Sequence, residues 1–324
     1  MNDGRTFREE MKAKMVIYKN ENKITLGYEH ILPARLWFQN LWSYIRRAAD
    51  DYFKHEKIKW HNERDNLLSS QILCVNIFFP LRNHPSLLDG FLRKFYSSLT
   101  QVTRVDFEYI GPKGKNYFNE PGGRGYSRTS ADVAVTWNDA EGKDNLLLVE
   151  FKFTERDFGG CGKSKNPDPD RCNSGRKVID TPKTECYRAS PEVDRPYWDM
   201  ILSPQGPFRV EKLKKTEHCP FKYDFYQLMR NQLLAKCIAE DKNAGFSTAE
   251  FAVCYDDRNE TLLNLSHVVD GNTNPLTTWE AFLKNPSNCK HFTIQQLFEY
   301  IDHTNNLPSE VVQWRAYLNK RYGL

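Results

Sequence analysis

Residues 131–153 read ADVAVTWNDAEGKDNLLLVEFKF, and this stretch decides the fold. Two segments of strand character, 131–137 and 146–153, flank a polar segment whose Gly142 suits a tight turn. The pattern therefore predicts a β-hairpin. If the hairpin is symmetric about Glu141, Asp132 lies directly across from Glu150, because each is nine residues from that centre. Side chains paired in this way are about 5 Å apart at Cβ.

The second strand of this hairpin carries two ionisable side chains on one face. Alternation places Leu146, Leu148, Glu150 and Lys152 on that face, and Leu147, Val149, Phe151 and Phe153 on the other. A charge on a strand that is otherwise apolar is normally paired, bound to a metal or used in function, since burying it alone is costly.

Carboxylates as close as Asp132 and Glu150 repel each other unless a cation lies between them. Mg²⁺ or Mn²⁺ fits this position, because Mg²⁺ takes one or two carboxylates and keeps several waters. Lys152 would then hold or deprotonate an attacking water and neutralise charge on a phosphate in the transition state. The plain alternative is a cross-strand salt bridge between Lys152 and one carboxylate on a half-exposed strand.

The motif resembles that of the PD-(D/E)XK nuclease superfamily, which has the restriction-endonuclease-like fold. It consists of an Asp, a turn, and Glu-Phe-Lys after an apolar run, although Ser130-Ala131-Asp132 stands where the superfamily has Pro-Asp. The chain resembles in particular a group of bacterial restriction endonucleases. The similar segments are SSQILCVNIFF (69–79), LLLVEFKFTE (146–155) and YQLMRNQLLAK (226–236).

This resemblance implies metal ligands and a catalytic glutamine. Asp132, Glu150 and the Phe151 carbonyl would bind the metal, and Lys152 would serve the water. Relatives often supply a further acidic residue from upstream. Glu108, on the polar face of its predicted strand, is the candidate, with Glu63 as the alternative.

A polar stripe follows the helix after Pro220, where Gln227, Arg230 and Asn231 share one face. By the same resemblance Gln227 points at the active centre, and Arg230 would lie near a phosphate. The alternative is an ordinary solvent-facing stripe.

The loop PGGRGYSR (121–128) combines flexibility with arginine and tyrosine side chains. Arg124 and Arg128 are candidate contacts to a nucleic-acid backbone, and Tyr126 offers a stacking surface. Loops of this composition are also often mobile without binding anything.

Four of the eight cysteines lie in one polar, proline-rich stretch: Cys161, Cys172, Cys186 and Cys219. Their spacings, C-x10-C, C-x13-C and C-x32-C, lack the close pair typical of zinc sites. We nevertheless expect one structural metal site, with zinc favoured over an iron–sulfur cluster, because an irregular insertion needs a cross-link. Unrelated free thiols are the alternative.

Composition and the absence of long apolar runs indicate which partners and which location to expect. The net charge of +4 permits a polyanionic partner without requiring one. The N-terminus has no apolar signal region, and no apolar run approaches the roughly 18 residues of a membrane span. A cytoplasmic protein without a membrane partner is expected.

The pattern predicts an α/β fold, with strands 102–110, 131–137 and 146–153 in a central mixed sheet flanked by helices 66–79 and 222–240. Residues 1–324 are expected to form one elaborated nuclease domain. It comprises a helical part (1–65), a catalytic core (66–265) with an irregular insertion (156–220), and a helical C-terminal part (266–324).

The predicted function is Mg²⁺-dependent or Mn²⁺-dependent hydrolysis of DNA, with endonuclease action favoured over exonuclease action. A role in restriction, defence or repair is left open, and so is homodimer formation. Two alternatives are a nuclease-fold protein that binds nucleic acid without cutting it and a zinc-stabilised interaction module.

Overall fold

A computed structural model of the protein describes residues 5–24, 27–162, 171–265 and 271–324. The first residues of the predicted C-terminal part, 266–270, lie outside these ranges. The described residues contain one mixed sheet in the order β1-β2-β3-β4-β5. Its strands are β1 (Leu99–Tyr109), β2 (Ala131–Asp139), β3 (Asp144–Lys152), β4 (Thr248–Tyr255) and β5 (Cys289–Thr293).

The sheet has an antiparallel half and a parallel half. Strands β1, β2 and β3 pair antiparallel, whereas β4 and β5 continue the sheet parallel to β3. The predicted hairpin and its register are confirmed, since the β2–β3 pairs run from Val133–Val149 to Asn138–Asp144, symmetric about Glu141. Gly142 has φ +73° in the turn, a conformation that few residues other than glycine adopt easily.

Helices cover both faces of the sheet. They are α1 (Phe7–Glu21), α2 (Arg46–His55), α3 (Ser70–Asn83), α4 (Ser86–Leu92), α5 (Gly175–Asp180), α6 (Pro182–Glu185), α7 (Tyr197–Leu202), α8 (Val210–Leu213), α9 (Tyr226–Glu240), α10 (Pro275–Phe282), α11 (Ile294–Asp302) and α12 (Ser309–Tyr322). Short 3-10 segments occur at Ala34–Asn40, Pro112–Gly114, Tyr187–Ala189 and Pro286–Asn288.

Each face of the sheet belongs to its own hydrophobic core. Leu147, Val149 and Phe151 pack with side chains of α1–α4, α11 and α12. Leu146 and Leu148 pack on the opposite face with α9, α10 and the insertion. The alternation predicted for β3 is therefore correct, and both of its faces are buried.

Helix α3 begins and ends later than predicted. Its N-cap is Ser69, whose hydroxyl accepts from the Ile72 backbone N–H, so the helix begins after the predicted start at residue 66. Pro80 lies inside the helix and does not end it. A proline leaves the carbonyl four residues earlier without its helical partner, and here that Asn76 carbonyl accepts from the Trp314 indole at 2.7 Å.

The predicted helix 222–240 begins at Tyr226, because residues 222–225 form a turn. The insertion is less irregular than expected. It contains α5 to α8, and Val178, Trp198 and Ile201 are buried in the second core. The prediction of an irregular insertion missed these short helices, because their apolar residues have no regular spacing that would reveal them.

The C-terminal part is not purely helical as predicted, because β5 joins the sheet beside β4. Its sequence, CKHFT, is too short and too polar to show a strand period. No helix among the described residues is long and apolar enough to cross a membrane.

Candidate active site

The ends of β2 and β3 bring the two predicted carboxylates together. The register places Asp132 and Glu150 opposite each other, one residue beyond the last ladder pair, Val133–Val149. The Phe151 backbone N–H donates to Asp132 Oδ2 at 2.7 Å, which fixes the Asp132 side chain beside β3. The hairpin therefore positions both acidic groups through its backbone.

Glu150 and Lys152 form a buried ion pair. Lys152 Nζ lies 2.9 Å from Glu150 Oε1, and the two residues are 3% and 4% exposed. A salt bridge was the plain alternative for these residues, but that alternative assumed a half-exposed strand. A buried pair costs desolvation energy, so it is weak evidence for a purely stabilising role.

Helix α9 completes the polar contacts of this pair. Lys152 Nζ donates to Gln227 Oε1 at 2.7 Å, and Asn231 Nδ2 donates to Glu150 Oε2 at 2.6 Å. The polar stripe therefore faces the β3 carboxylate and ammonium groups rather than open solvent. Asn231 Oδ1 is buried without a hydrogen-bond partner.

Burial and mutual repulsion disturb the titration of this cluster. The pKa of Asp132 lies well above its ordinary value, first because its carboxyl is desolvated and then because Glu150 and Glu108 lie nearby. Burial lowers the pKa of Lys152, but Glu150, Glu155 and Asp132 outweigh this effect and raise the pKa overall. Lys152 is therefore an ammonium group at neutral pH.

The raised pKa of Asp132 predicts an unusual pH dependence. The folded state retains the Asp132 proton at pH values where the unfolded state has lost it, so stability falls as pH rises from about 4 through the folded-state pKa. Asp132→Asn is expected to raise the free energy of unfolding in EDTA at neutral pH by roughly 1 kcal/mol, or about 2–4 °C.

Thermal unfolding in EDTA between about pH 5 and 8 measures this effect. Asp139→Asn is the matched control in the same hairpin. Backbone N–H groups lower the pKa of Asp139, chiefly that of Lys143, so its replacement should destabilise the protein. An Asp132→Asn variant less stable than wild type at neutral pH in EDTA would contradict this electrostatic explanation.

Glu108 is the third carboxylate near this site. It is 3% exposed, and it accepts from Gln71 Nε2 at 2.7 Å and Ser130 Oγ at 2.8 Å. His61 Nε2 lies 3.3 Å from the same carboxylate; burial lowers the pKa of His61, but Glu108 raises it overall. The alternative candidate, Glu63, is exposed.

A cavity of about 160 Å³ joins these groups. Its lining contains the three carboxylates Glu108, Asp132 and Glu150, together with Gln227 and Asn231. In the described ranges, no group of three or more His, Cys, Asp or Glu side chains is placed so that it could hold a metal ion.

Two carboxylates and water are nevertheless enough for Mg²⁺. The repulsion between Asp132 and Glu150 is what a divalent cation would relieve. The residues present therefore fit a hydrated magnesium ion. Nothing in the described geometry bears on the predicted Phe151 carbonyl ligand, which stays a prediction.

The three arginines differ in their positions. Arg128 and Arg230 line the cavity, where Arg128 donates to the Gly114 carbonyl at 2.7 Å and Arg230 pairs with buried Glu120 at 3.3 Å. Arg124 does not line it.

Arg124 lines a separate groove of about 920 Å³. Its guanidinium donates to the Phe107 carbonyl at 2.6 Å and pairs with Glu56 at 2.6 Å. The prediction of a nucleic-acid contact overlooked these partners, because they lie far from Arg124 in sequence.

Sequence reasoning missed the partners of the acidic groups. Asn231 was visible on the polar stripe, but its contact with Glu150 was not. Gln71, His61 and Ser130 surround Glu108 from three separate segments. No local pattern could have revealed them.

Comparison with known protein families shows to which family this chain belongs. The family described as "Restriction Endonuclease associating with ARP" matches residues 4–323. The chain belongs to this family. Its five-stranded mixed sheet flanked by helices agrees with the restriction-endonuclease-like α/β fold expected from the sequence. Comparison of this restriction-endonuclease family member with the curated proteins and with the solved structures finds no match.

Proposed function

We propose that this protein is a metal-dependent endonuclease with a PD-(D/E)XK-type active site that hydrolyses DNA. The observation that carries the proposal is the meeting of Asp132 and Glu150 at one cavity, with Lys152 paired to Glu150 and bonded to Gln227. Family membership supports the nuclease role. A carboxylate pair beside a buried ammonium group suits phosphodiester hydrolysis better than simple binding, because each group has a role in the reaction.

In this proposal Asp132 and Glu150 hold Mg²⁺ or Mn²⁺, with the Phe151 carbonyl as a further ligand and Glu108 available across the cavity. The bound ion supplies Lewis-acid polarisation of a phosphate oxygen and lowers the pKa of water. The Asp132 carboxylate is held in position by the Phe151 N–H.

Lys152 orients the attacking water and offsets the negative charge that develops on the phosphate. Gln227 Oε1 also accepts from the lysine ammonium at 2.7 Å, so the ammonium is shared between Gln227 and Glu150. Asn231 fixes the second oxygen of Glu150 and leaves its own carbonyl oxygen free to accept from water.

The loop before β2 forms one side of the cavity and is the proposed contact to the DNA backbone. Tyr126 is 47% exposed, and Arg128 lies at the cavity with one donor bonded to the loop at Gly114. Arginine supplies phosphate contacts and tyrosine a stacking surface. Arg230 contributes its charge from α9, partly matched by Glu120.

The test is incubation of purified protein with supercoiled plasmid, linear single-stranded DNA and RNA, in Mg²⁺, Mn²⁺ or EDTA. The expected result is nicking of the closed plasmid in either metal and none in EDTA. Nicking of closed circles identifies endonuclease action, since an exonuclease needs an end. Binding of plasmid without cleavage in both metals would contradict the proposal and favour a nuclease-fold protein that only binds DNA.

A further inference from the structure

The four cysteines of the insertion surround one small cavity. Cys161, Cys172, Cys186 and Cys219 line a space of about 30 Å³, closed further by Arg188, Trp198 and Tyr226. The other four cysteines lie apart from it. Cys74 and Cys254 belong to the first core, Cys289 lies on β5, and Cys237 contacts Met200. Four cysteines whose successive separations in sequence are 11, 14 and 33 residues therefore meet at one point.

The thiols contact each other directly. Cys172 forms side-chain hydrogen bonds with both Cys186 and Cys219, and Cys161 is near enough to act on it electrostatically. The contact with Cys186 lowers the pKa of Cys172, but Cys219 and burial raise it to about 12. Direct contact between Cys172 and two further thiols therefore places at least three sulfurs around one point.

Nitrogen donors also point at these sulfurs. The Trp198 side chain and the Arg188 backbone N–H donate to Cys186, and the Arg188 side chain hydrogen-bonds to Cys161. A thiol that only fills a hydrophobic core needs no such donors. Outer N–H donors to cysteine sulfur are what a metal-bound thiolate requires, since they stabilise its negative charge.

We infer that Cys161, Cys172, Cys186 and Cys219 bind one structural Zn²⁺ ion at the base of the insertion. Tetrahedral zinc with Zn–S distances of about 2.3 Å places its sulfurs about 3.8 Å apart. That separation is close to that of two sulfurs in a thiol–thiol hydrogen bond. The cavity accepts a single ion, whereas an iron–sulfur cluster is far larger.

Zinc binding requires a local rearrangement of this cluster. Among the described residues these sulfurs do not form a metal shell. They hydrogen-bond instead to one another and to Arg188. Binding replaces the thiol–thiol hydrogen bonds with Zn–S bonds and releases the thiol protons to solvent. No oxidant or reductant is needed, because zinc does not change its oxidation state.

The site connects both ends of the insertion to the start of α9. The Cys161 N–H donates to the Phe221 carbonyl at 3.2 Å, and the Cys219 N–H donates to the Cys172 carbonyl at 3.0 Å. Two residues before Cys161, the Gly159 carbonyl accepts from the Tyr226 and Gln227 backbone N–H groups.

Gly159 packs so closely on α9 that a Cβ there would overlap the Gln227 side chain. Zinc would therefore hold in place the segment that positions Gln227. The importance of this effect on Gln227 rests on the proposed function, but the zinc site itself does not.

The test measures zinc in the full-length protein by elemental analysis after purification under reducing conditions. We expect about one equivalent per chain. Cys172→Ser should lose it, whereas Cys237→Ser, a partly exposed cysteine outside the cavity, should keep it. Glu150→Gln should also keep its zinc, which separates this site from the carboxylate cluster. Cobalt-substituted protein should show thiolate-to-metal charge transfer and the intense visible bands of tetrahedral cobalt.

If Cys172→Ser does not fold, titration of wild-type thiols with an organomercurial provides the same information. Zinc release should follow modification of four thiols. Zinc-free protein, zinc retained by Cys172→Ser, a disulfide among the four cysteines, or bound iron and sulfide would each overturn the inference. None of these measurements depends on whether the protein cuts DNA.

Discussion

Glu150→Gln is expected to reduce the rate of plasmid cleavage by about 10³-fold or more. The substitution keeps the shape of the side chain, and the glutamine oxygen can still accept from Asn231 or Lys152. It removes one of the two negative charges proposed to hold the metal, so binding of Mg²⁺ weakens while the fold is retained. Single-turnover nicking of supercoiled plasmid measures the effect.

Glu141→Gln is the matched control for this substitution. Glu141 lies in the turn of the same hairpin, where it is exposed and pairs with Lys143. The control removes the same charge from the same hairpin without touching the cavity, so its cleavage rate should equal that of wild type. Equal cleavage by Glu150→Gln at matched metal and salt concentrations would show that the assignment is wrong.

Lys152→Met is expected to destabilise the protein by about 3–5 kcal/mol in EDTA and to abolish cleavage. Methionine has about the same volume as lysine, but it has no positive charge and no hydrogen-bond donor. Glu150 would be left as a buried charge with only Asn231 as partner, and Gln227 Oε1 would lose its donor. Urea unfolding followed by circular dichroism measures the change in free energy.

The double variant Lys152→Met/Glu150→Gln distinguishes charge from packing. Removing the Glu150 charge should restore most of the lost stability, because no uncompensated charge then remains buried. Cleavage should stay absent in the double variant. If the double variant is as unstable as Lys152→Met, the loss comes from packing and the electrostatic explanation fails. Lys143→Met, on an exposed side chain of the same hairpin, should leave the unfolding midpoint unchanged.

The sequence alone was sufficient to predict the hairpin and its register. The turn at Gly142 and the apolar runs on each side have only one symmetric arrangement, and that arrangement places Asp132 across from Glu150. The alternation of β3 likewise predicted its two faces. Both features depend on residues close together in sequence, where periodicity is informative.

Other parts of the fold depend on distant contacts, and the sequence could not reveal them. The course of α3 through Pro80 depends on Trp314, more than 200 residues away. Strand β5 is defined by its pairing with β4 rather than by its own pattern. The insertion forms short helices because they pack on the second core.

The residues of the candidate site also fall into those that the sequence predicted and those that it did not. The acidic pair and Lys152 were predicted from one hairpin, and Gln227 from the helix face together with the family resemblance. The hydrogen-bond donors to Glu108 and the protein partners of Arg124 were not predicted, because they lie on separate segments of the chain.

The central claim, that Asp132 and Glu150 hold the catalytic cation, is tested most directly by Mn²⁺ binding to the purified full-length protein. Calorimetry and electron paramagnetic resonance would compare wild type with Asp132→Asn and Glu150→Gln at matched pH and salt. We predict one Mn²⁺ site in wild type whose affinity falls about tenfold or more in each variant, a difference of about 1.4 kcal/mol. Equal Mn²⁺ affinity in wild type and both variants would contradict it.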